Sequence, residues 1–298
     1  MSRPFRFGLN ILNLGTGAAW RRTCRRAEEL GYDVLLVPDH LGRPAPFPAL
    51  VTAAEVTSRP RVGTFVLNAG FTNPALLARE VATTDALTGG RLELGLGTGY
   101  VRAEHETAGL PWGSPGARVD HLTRTVEELG RLLGDPEVTP QPAQQPGPPL
   151  LIGGNGPRML RLAAAHAQIT AFSGVRQAAG RTEGTLELMS AEEVADSVAR
   201  YAGYEEAAGR TTLAERNILV QRVVVTDDRR AAARELAAEG LGLDAKQLLE
   251  APTLLIGTPA EMADQLRERR ERFGFSYITV LDPVMEAFAP VIAEMRRG

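Results

Sequence analysis

The chain has 298 residues, 44% apolar and 23% charged, with a formal net charge of −3. This composition supports a sizeable buried core and excludes a disordered or fibrous chain, and the slight acidity excludes a protein that grips nucleic acid through a basic face. Cys24 is the only cysteine, which excludes an intramolecular disulfide and a thiolate metal cluster.

Short apolar, β-favouring runs fall at 5–10, 33–37, 62–67, 92–96, 149–152, 168–171, 217–225 and 277–281. Helical stretches lie between most of them. Strand and helix in alternation predict βαβ units and a parallel sheet. Eight such units in one chain of this length predict an α/β fold, a (β/α)8 TIM barrel with insertion loops at its C-terminal face, spanning 1–298 as one domain. A doubly wound open sheet is the second architecture the pattern allows.

The first helix carries Trp20, Cys24, Ala27 and Gly31 at the spacing of one buried face, so Cys24 is expected in the core. The helix after the third strand opens with Asn73 as cap and Pro74 at its first position. Ala78, Ala82 and Ala86 are expected to pack its face on the barrel before Gly89 and Gly90 stop it. Residues 135–149, rich in Pro, Gln and Gly, read as an irregular surface connection. Residues 173–185 form a second irregular stretch just after the sixth strand, where a lid is expected. Thr258 to Glu261 forms a capping box. The first residues hold no apolar run of signal-peptide length, and no run approaches the ~18 residues of a membrane span, so a cytoplasmic protein is expected.

In parallel barrels the active site forms where strands end and βα loops begin. After the second strand come Asp39 and His40, a carboxylate for a ligand N–H beside an imidazole that exchanges protons near neutral pH. The third strand embeds polar Thr64 and Asn68 in an apolar run around Phe65. In the fourth, Leu92, Leu94 and Leu96 alternate with Glu93, Gly95 and Gly97. The leucines should meet the helices, while the glycines leave space inside the barrel top. Gly97, Thr98 and Gly99 let a ligand approach the backbone, and Glu104 and His105 follow in the same loop. The fifth strand runs into Gly153, Gly154, Asn155, Gly156, Pro157 and Arg158. A glycine-rich loop feeding a helix N-terminus is an anion site, with Asn155 available as cap and Arg158 adding charge. The four histidines form no metal-ligand pair, and no Gly-x-Ser-x-Gly elbow is present, so neither a zinc hydrolase nor a serine acyl-transfer enzyme is expected.

Together these residues resemble the luciferase-like oxidoreductases, a barrel superfamily that uses FMN or the deazaflavin coenzyme F420. The likeness rests on Pro38-Asp39-His40, on 62–67, on Asn73 to Glu80, on Thr88 to Gly99, and on Gly153 to Arg158. The F420-dependent branch is the nearest in appearance. The resemblance implies that Asp39 and His40 contact the deazaflavin ring, with a non-proline cis peptide at Thr64-Phe65 beneath it. It also implies that Gly97 and Thr98 line the cofactor and that the 153–158 loop holds its phosphate. His40 would then be the acid/base for hydride exchange with a small organic substrate, inside a pocket walled by Trp112 and Phe172. In the sugar-phosphate dehydrogenases of that branch an acidic residue follows the Gly-Thr-Gly; here Tyr100 stands there. The second proton-handling group is therefore Tyr100, Glu104 or His105, with Glu104 the nearest carboxylate. A homodimer is implied by the same likeness. An FMN-dependent monooxygenase using O2 and a non-catalytic flavin-binding protein are the two rival functions.

Overall fold

The computed structural model describes residues 3–178, 180 and 185–297. In chain order the strands are β1 (Arg6–Asn10), β2 (Val34–Val37), β3 (Arg61–Thr64), β4 (Leu67–Asn68), β5 (Leu92–Gly97), β6 (Leu150–Gly153) and β7 (Ile169–Phe172). There follow β8 (Val175–Gln177), β9 (Leu186–Leu188), β10 (Glu215–Val220), β11 (Arg222–Val225), β12 (Leu254–Gly257) and β13 (Phe275–Leu281). One parallel sheet runs in the order β3-β2-β1-β13-β10-β7-β6-β5-β4, and the pairing of β3 with β5 closes it into a barrel of eight staves. All eight runs read from the sequence supply a stave.

The third and seventh runs behave differently from the expectation. Residues 62–67 form two short strands, β3 and β4, on either side of a cis peptide at Phe65–Val66, one residue later than expected. Residues 217–225 split at Gln221. Its N–H bonds the Thr253 carbonyl at 2.7 Å, and the chain leaves the barrel to pair β11 with β12 in a separate two-stranded sheet. The unbroken run of β-favouring residues carried no mark of that exit, and β12 itself was not foreseen.

Helices surround the barrel: α1 (Gly17–Glu29), α2 (Pro46–Glu55), α3 (Pro74–Leu87), α4 (Arg102–Ala108), α5 (Pro115–Gly134), α6 (Pro157–His166), α7 (Ala191–Ala207), α8 (Arg229–Ala238), α9 (Ala245–Glu250), α10 (Pro259–Phe273) and α11 (Met285–Arg297). Trp20, Cys24 and Ala27 form the buried face of α1, and burial pushes the Cys24 thiol up to about 12. Asn73 caps α3 through Oδ1, and Thr258 and Glu261 close the capping box of α10. The alanine stripe of α3 holds at Ala78 and Ala82 but not at Ala86, which is exposed. Thr84 and Asp85 are buried instead, because the Asp85 carboxylate accepts the Gln144 backbone N–H at 2.8 Å and its side-chain amide at 2.7 Å. That contact pins the irregular 135–149 connection. No helix among the described residues is long and apolar enough to cross a membrane.

Two cores follow from strand alternation. Leu9, Leu35, Val62, Leu92, Leu94, Leu96 and Ile278 point outward and pack beneath the helices. Val34, Leu36, Leu151, Ile169, Ala171 and Tyr277 fill the barrel interior, with Phe65 and Val66 packed on them. The lower end of the interior is ionic. Arg6 bonds Glu93 at 2.7 Å and Glu215 at 2.6 Å while lying 4.4 Å from the Tyr277 ring, and Arg61 meets Glu93 at 2.8 Å. Each buried carboxylate there has a guanidinium, which offsets the desolvation of both. A smaller third core joins β11, β12, α8 and α9 around Ala233, Leu248 and Leu254.

The break in the third stave depends on glycine. The Thr64 carbonyl lodges where a β-carbon on residue 95 would stand, and a β-carbon on residue 97 would lie 2.8 Å from the Val66 side chain. Gly95→Ala forces backbone against backbone and is expected to cost about 3 kcal/mol in urea unfolding. Gly130→Ala, in open space on α5, is expected to add roughly 0.5–1 kcal/mol under the same conditions.

Candidate active site

The loops after β2, β4, β5 and β6 all emerge at the C-terminal face, as parallel strand order requires. Direct contacts join them. The Asn68 backbone N–H donates to Asp39 Oδ2 at 3.0 Å, linking the second stave to the third. Thr64 Oγ1 accepts the Gly95 N–H and donates to the Gly95 carbonyl, both at 2.8 Å, linking the third to the fourth. Val66 sits against Gly97 and within 3.7 Å of the β-carbon position of Gly153, which brings in the fifth. Asp39, Thr64, Thr98 and Asn155 therefore belong to neighbouring loops around one opening.

Three of the expected residues spend their side chains on building this opening. The Thr64 hydroxyl is consumed by Gly95. Asn68 Oδ1 accepts the Gly70 N–H at 3.0 Å, and its Nδ2 donates to His105 Nε2 at 2.9 Å. Asn155 does not cap α6: its amide donates to Ser173 Oγ at 2.5 Å and to the Val175 carbonyl at 2.8 Å, tying the β6 loop to the start of β8. Gly156 is the N-cap instead and offers no side chain, so the first-turn N–H groups of α6 have no side-chain cap. Arg158 turns to Asp120 on α5 and to the Gly116 carbonyl rather than back over the loop.

His40 lies at the rim. Its Nδ1 is 2.9 and 3.1 Å from the two carboxylate oxygens of Glu104, on α4. A carboxylate oxygen accepts from the ring N–H, so Nδ1 carries a proton, and whenever the ring holds only that one, Nε2 is the lone-pair nitrogen. Tyr100 OH is 3.4 Å from that nitrogen, and the two rings meet edge to face at 5.4 Å. Burial raises the Tyr100 pKa and the negative charge of Glu104 raises it further, against the pull of Arg43. Asp39 is also raised, first by burial and then by Glu104, despite the Asn68 N–H and the nearby His40. Leu41, next to His40 in the chain, and Tyr100, against its ring, are exposed and give the rim there an apolar edge, and Leu14 is exposed on the first βα loop.

Glu104 and His105 are adjacent in sequence and face different partners. His105 is buried with both ring nitrogens bonded, and so is not available to exchange protons with a ligand. Phe172 is no pocket wall: it points outward and packs on Tyr201 of α7 and on Phe275. Trp112 lies over His105 and under the Arg118 guanidinium. The expected lid at 173–185 is in part a hairpin, β8 with β9, and residues 179 and 181–184 of it lie outside the described residues. Sequence reasoning missed Val66 and Asn10. Asn10 ends β1 on the inward-facing parity set by Arg6 and Gly8, and its Oδ1 is buried with no partner among the described residues. A lone Asn at a strand end is the only signal of it, and a weak one. Among the described residues no three His, Cys, Asp or Glu side chains gather as metal ligands. Two surface cavities of about 550 and 540 Å³ lie away from this opening, one between α10 and α8–α9 and the other along α5.

A model described as the luciferase-like monooxygenase family matches residues 6–251. The chain is 37% identical over 125 residues to an F420-dependent glucose-6-phosphate dehydrogenase of Intrasporangium calvum, a match covering 38% of this chain and 37% of that protein. It is 30% identical over 151 residues to the oxygenase component of a flavin-dependent trigonelline monooxygenase of Acinetobacter baylyi, covering 45% and 42%. The chain thus spans less than half the length of these two curated relatives. Its fold is that of the F420-dependent tetrahydromethanopterin reductase of Methanopyrus kandleri, with a TM-score of 0.75 at 19% identity over 98% of both chains.

Because burial raises the Asp39 pKa, the folded state favours the protonated acid, and its ionisation costs stability as pH rises. Asp39→Asn is expected to raise Tm at pH 8. The gain should shrink as pH falls toward about 4, near the pKa of an unperturbed Asp. Thermal scans across pH read this directly.

Proposed function

The chain belongs to the luciferase-like monooxygenase family, and on that footing we propose that it is an F420-dependent oxidoreductase moving a hydride between the deazaflavin and a small organic substrate. The observation that carries this reading is the His40–Glu104 pair at the barrel rim, with Nδ1 held by the carboxylate and Nε2 beside the half-exposed Tyr100 hydroxyl. The stretch of 37% identity to an F420-dependent dehydrogenase supports the choice of cofactor.

The residues present fit a flat ring with an anionic tail. Val66 and the glycines at 97 and 153 form a smooth surface at the top of the interior. Asn10 Oδ1, a buried acceptor at the upper end of the interior with no donor among the described residues, would accept from a ring N–H. The raised pKa of Asp39 suits a group that shares a proton with a ring carbonyl or hydroxyl. The uncapped first turn of α6, with the backbone of Gly154, Asn155 and Gly156 before it, suits a phosphate. When bound, the deazaflavin supplies a carbon that gives or takes two electrons as hydride.

The chain's own part is to orient the ring and substrate and to handle the proton. His40 Nε2 takes the proton from a substrate hydroxyl as hydride departs, or returns it to a carbonyl oxygen in the reverse direction. Glu104 fixes the Nδ1–H tautomer and stabilises the cation formed when Nε2 is protonated. Tyr100, beside Nε2, helps place the substrate oxygen. Leu41 and Tyr100, beside His40, would give the substrate an apolar flank.

The FMN-dependent alternative is favoured by the stretch shared with a flavin-dependent oxygenase component, and one experiment separates the two. The chain is supplied anaerobically with reduced F420 and, separately, with reduced FMN, and each is assayed against small alcohols and carbonyls with and without O2. Turnover with F420 that does not need O2 is expected; turnover confined to reduced FMN with O2 overturns the proposal. His40→Ala is expected to lower kcat by about 10²–10⁴-fold, and Glu104→Gln by roughly 10²-fold, with cofactor affinity retained.

A further inference from the structure

We infer that His105 is the positioning residue of this site, the anchor that sets Asn68 and α4 and through them orients Asp39 and the His40–Glu104 pair. The inference rests on the functional reading above for its consequence, though not for its geometry.

His105 is 1% exposed. Its Nδ1 lies 3.1 Å from the Pro111 carbonyl, which only accepts, so Nδ1 carries the proton. Nε2 is then a lone pair, and it receives the Asn68 amide N–H at 2.9 Å. That leaves Asn68 one orientation, with Oδ1 toward the Gly70 N–H at 3.0 Å. With the side chain held from both ends, the Asn68 backbone N–H points at Asp39 Oδ2. The series Pro111, His105, Asn68, Asp39 has a donor meeting an acceptor at every joint. A doubly protonated His105 would set its Nε2–H against the Asn68 amide N–H, so the series requires the neutral ring.

The surroundings hold this arrangement closely. The Phe71 and Trp112 rings flank the imidazole at 5.0 and 4.9 Å. A β-carbon on residue 70 would lie 2.6 Å from His105 Cε1, and one on residue 99 would overlap the Asn68 amide. Two glycines of the candidate cofactor loops are therefore explained by the approach of this pair. Neighbouring residues of α4 divide the work: Glu104 touches the proton-handling imidazole, and His105 fixes where α4 lies.

The test uses His105→Gln, whose amide can accept from Asn68 and donate to Pro111, and His105→Leu, which does neither. The first readout is the tautomer of each of the four histidines by 15N NMR on the chain without cofactor. The wild type and His105→Gln are expected to keep His40 in the Nδ1–H form. His105→Leu is expected to lose that preference as Glu104 moves. The second readout is F420 affinity by fluorescence titration, expected to fall about tenfold in His105→Leu and within about threefold of wild type in His105→Gln, the cost of one unsatisfied buried polar group. Asn68→Asp gives an answer even if His105→Leu does not fold. The new carboxylate faces Nε2, and His105 is expected to become doubly protonated at pH 7. An Nε2–H tautomer at His105 in the wild type, a neutral His105 in Asn68→Asp, or a folded His105→Leu with an unchanged His40 tautomer overturns the inference. If the wild type binds no F420 while the tautomers behave as stated, the functional reading fails and the positioning role stands.

Discussion

The opening of this barrel rests on one close contact: the Thr64 carbonyl against the bare α-carbon of Gly95. With no side chain at 95, the third stave can leave its regular path, and the Thr64 hydroxyl satisfies both backbone groups of Gly95 that the interrupted ladder would leave unpaired. Val66 then lies over Gly97 and faces the interior, and β4 resumes beside β5 with Asn68 in reach of Asp39. A side chain at 95 would collide with the Thr64 carbonyl, so the path that brings Val66 over Gly97 and Asn68 to Asp39 depends on glycine there.

The two ends of the interior divide stability from chemistry. At the lower end every carboxylate is paired: Glu93 with Arg6 and Arg61, Glu215 with Arg6. At the upper end the polar groups are left in less favourable states. Asp39 is half-buried with its pKa raised, and the first turn of α6 has no side-chain cap; Asn10 Oδ1 has no partner among the described residues, a state it shares with Glu93 Oε2 and Tyr277 OH at the lower end. A carboxyl held at a raised pKa and a helix start with free N–H groups, both beside the opening, are what a ligand would satisfy. Their convergence on one face of the barrel is the physical content of the functional proposal.

Much of this was legible in the sequence. Alternation gave the eight staves and the inward set of Glu93, Gly95 and Gly97, because a strand's period of two is strict. Asn73-Pro74 and Thr258–Glu261 marked helix starts, because caps are local chemistry. What failed were matters of tertiary partnership. Nothing within 217–225 says that the chain leaves the barrel at Gln221, since its partner Thr253 is more than thirty residues away. Asn155 looked like a cap, but Ser173 and Val175 compete for its amide. Phe172 and Ala86 each followed a pattern that the packing of Tyr201 or Gln144 overrode. The separate fates of Glu104 and His105 are invisible in a line of residues, because a short helix turns neighbouring side chains to different sides.

The most direct test of the account is hydrogen exchange of the chain with and without F420, followed by mass spectrometry. If the four loops share one planar ring and its anionic tail, binding protects backbone amides at 65–70, 97–100 and 153–160 together with those at 39–41. Protection confined to one of these loops, or centred on the cavity between α10 and α8–α9, would contradict it.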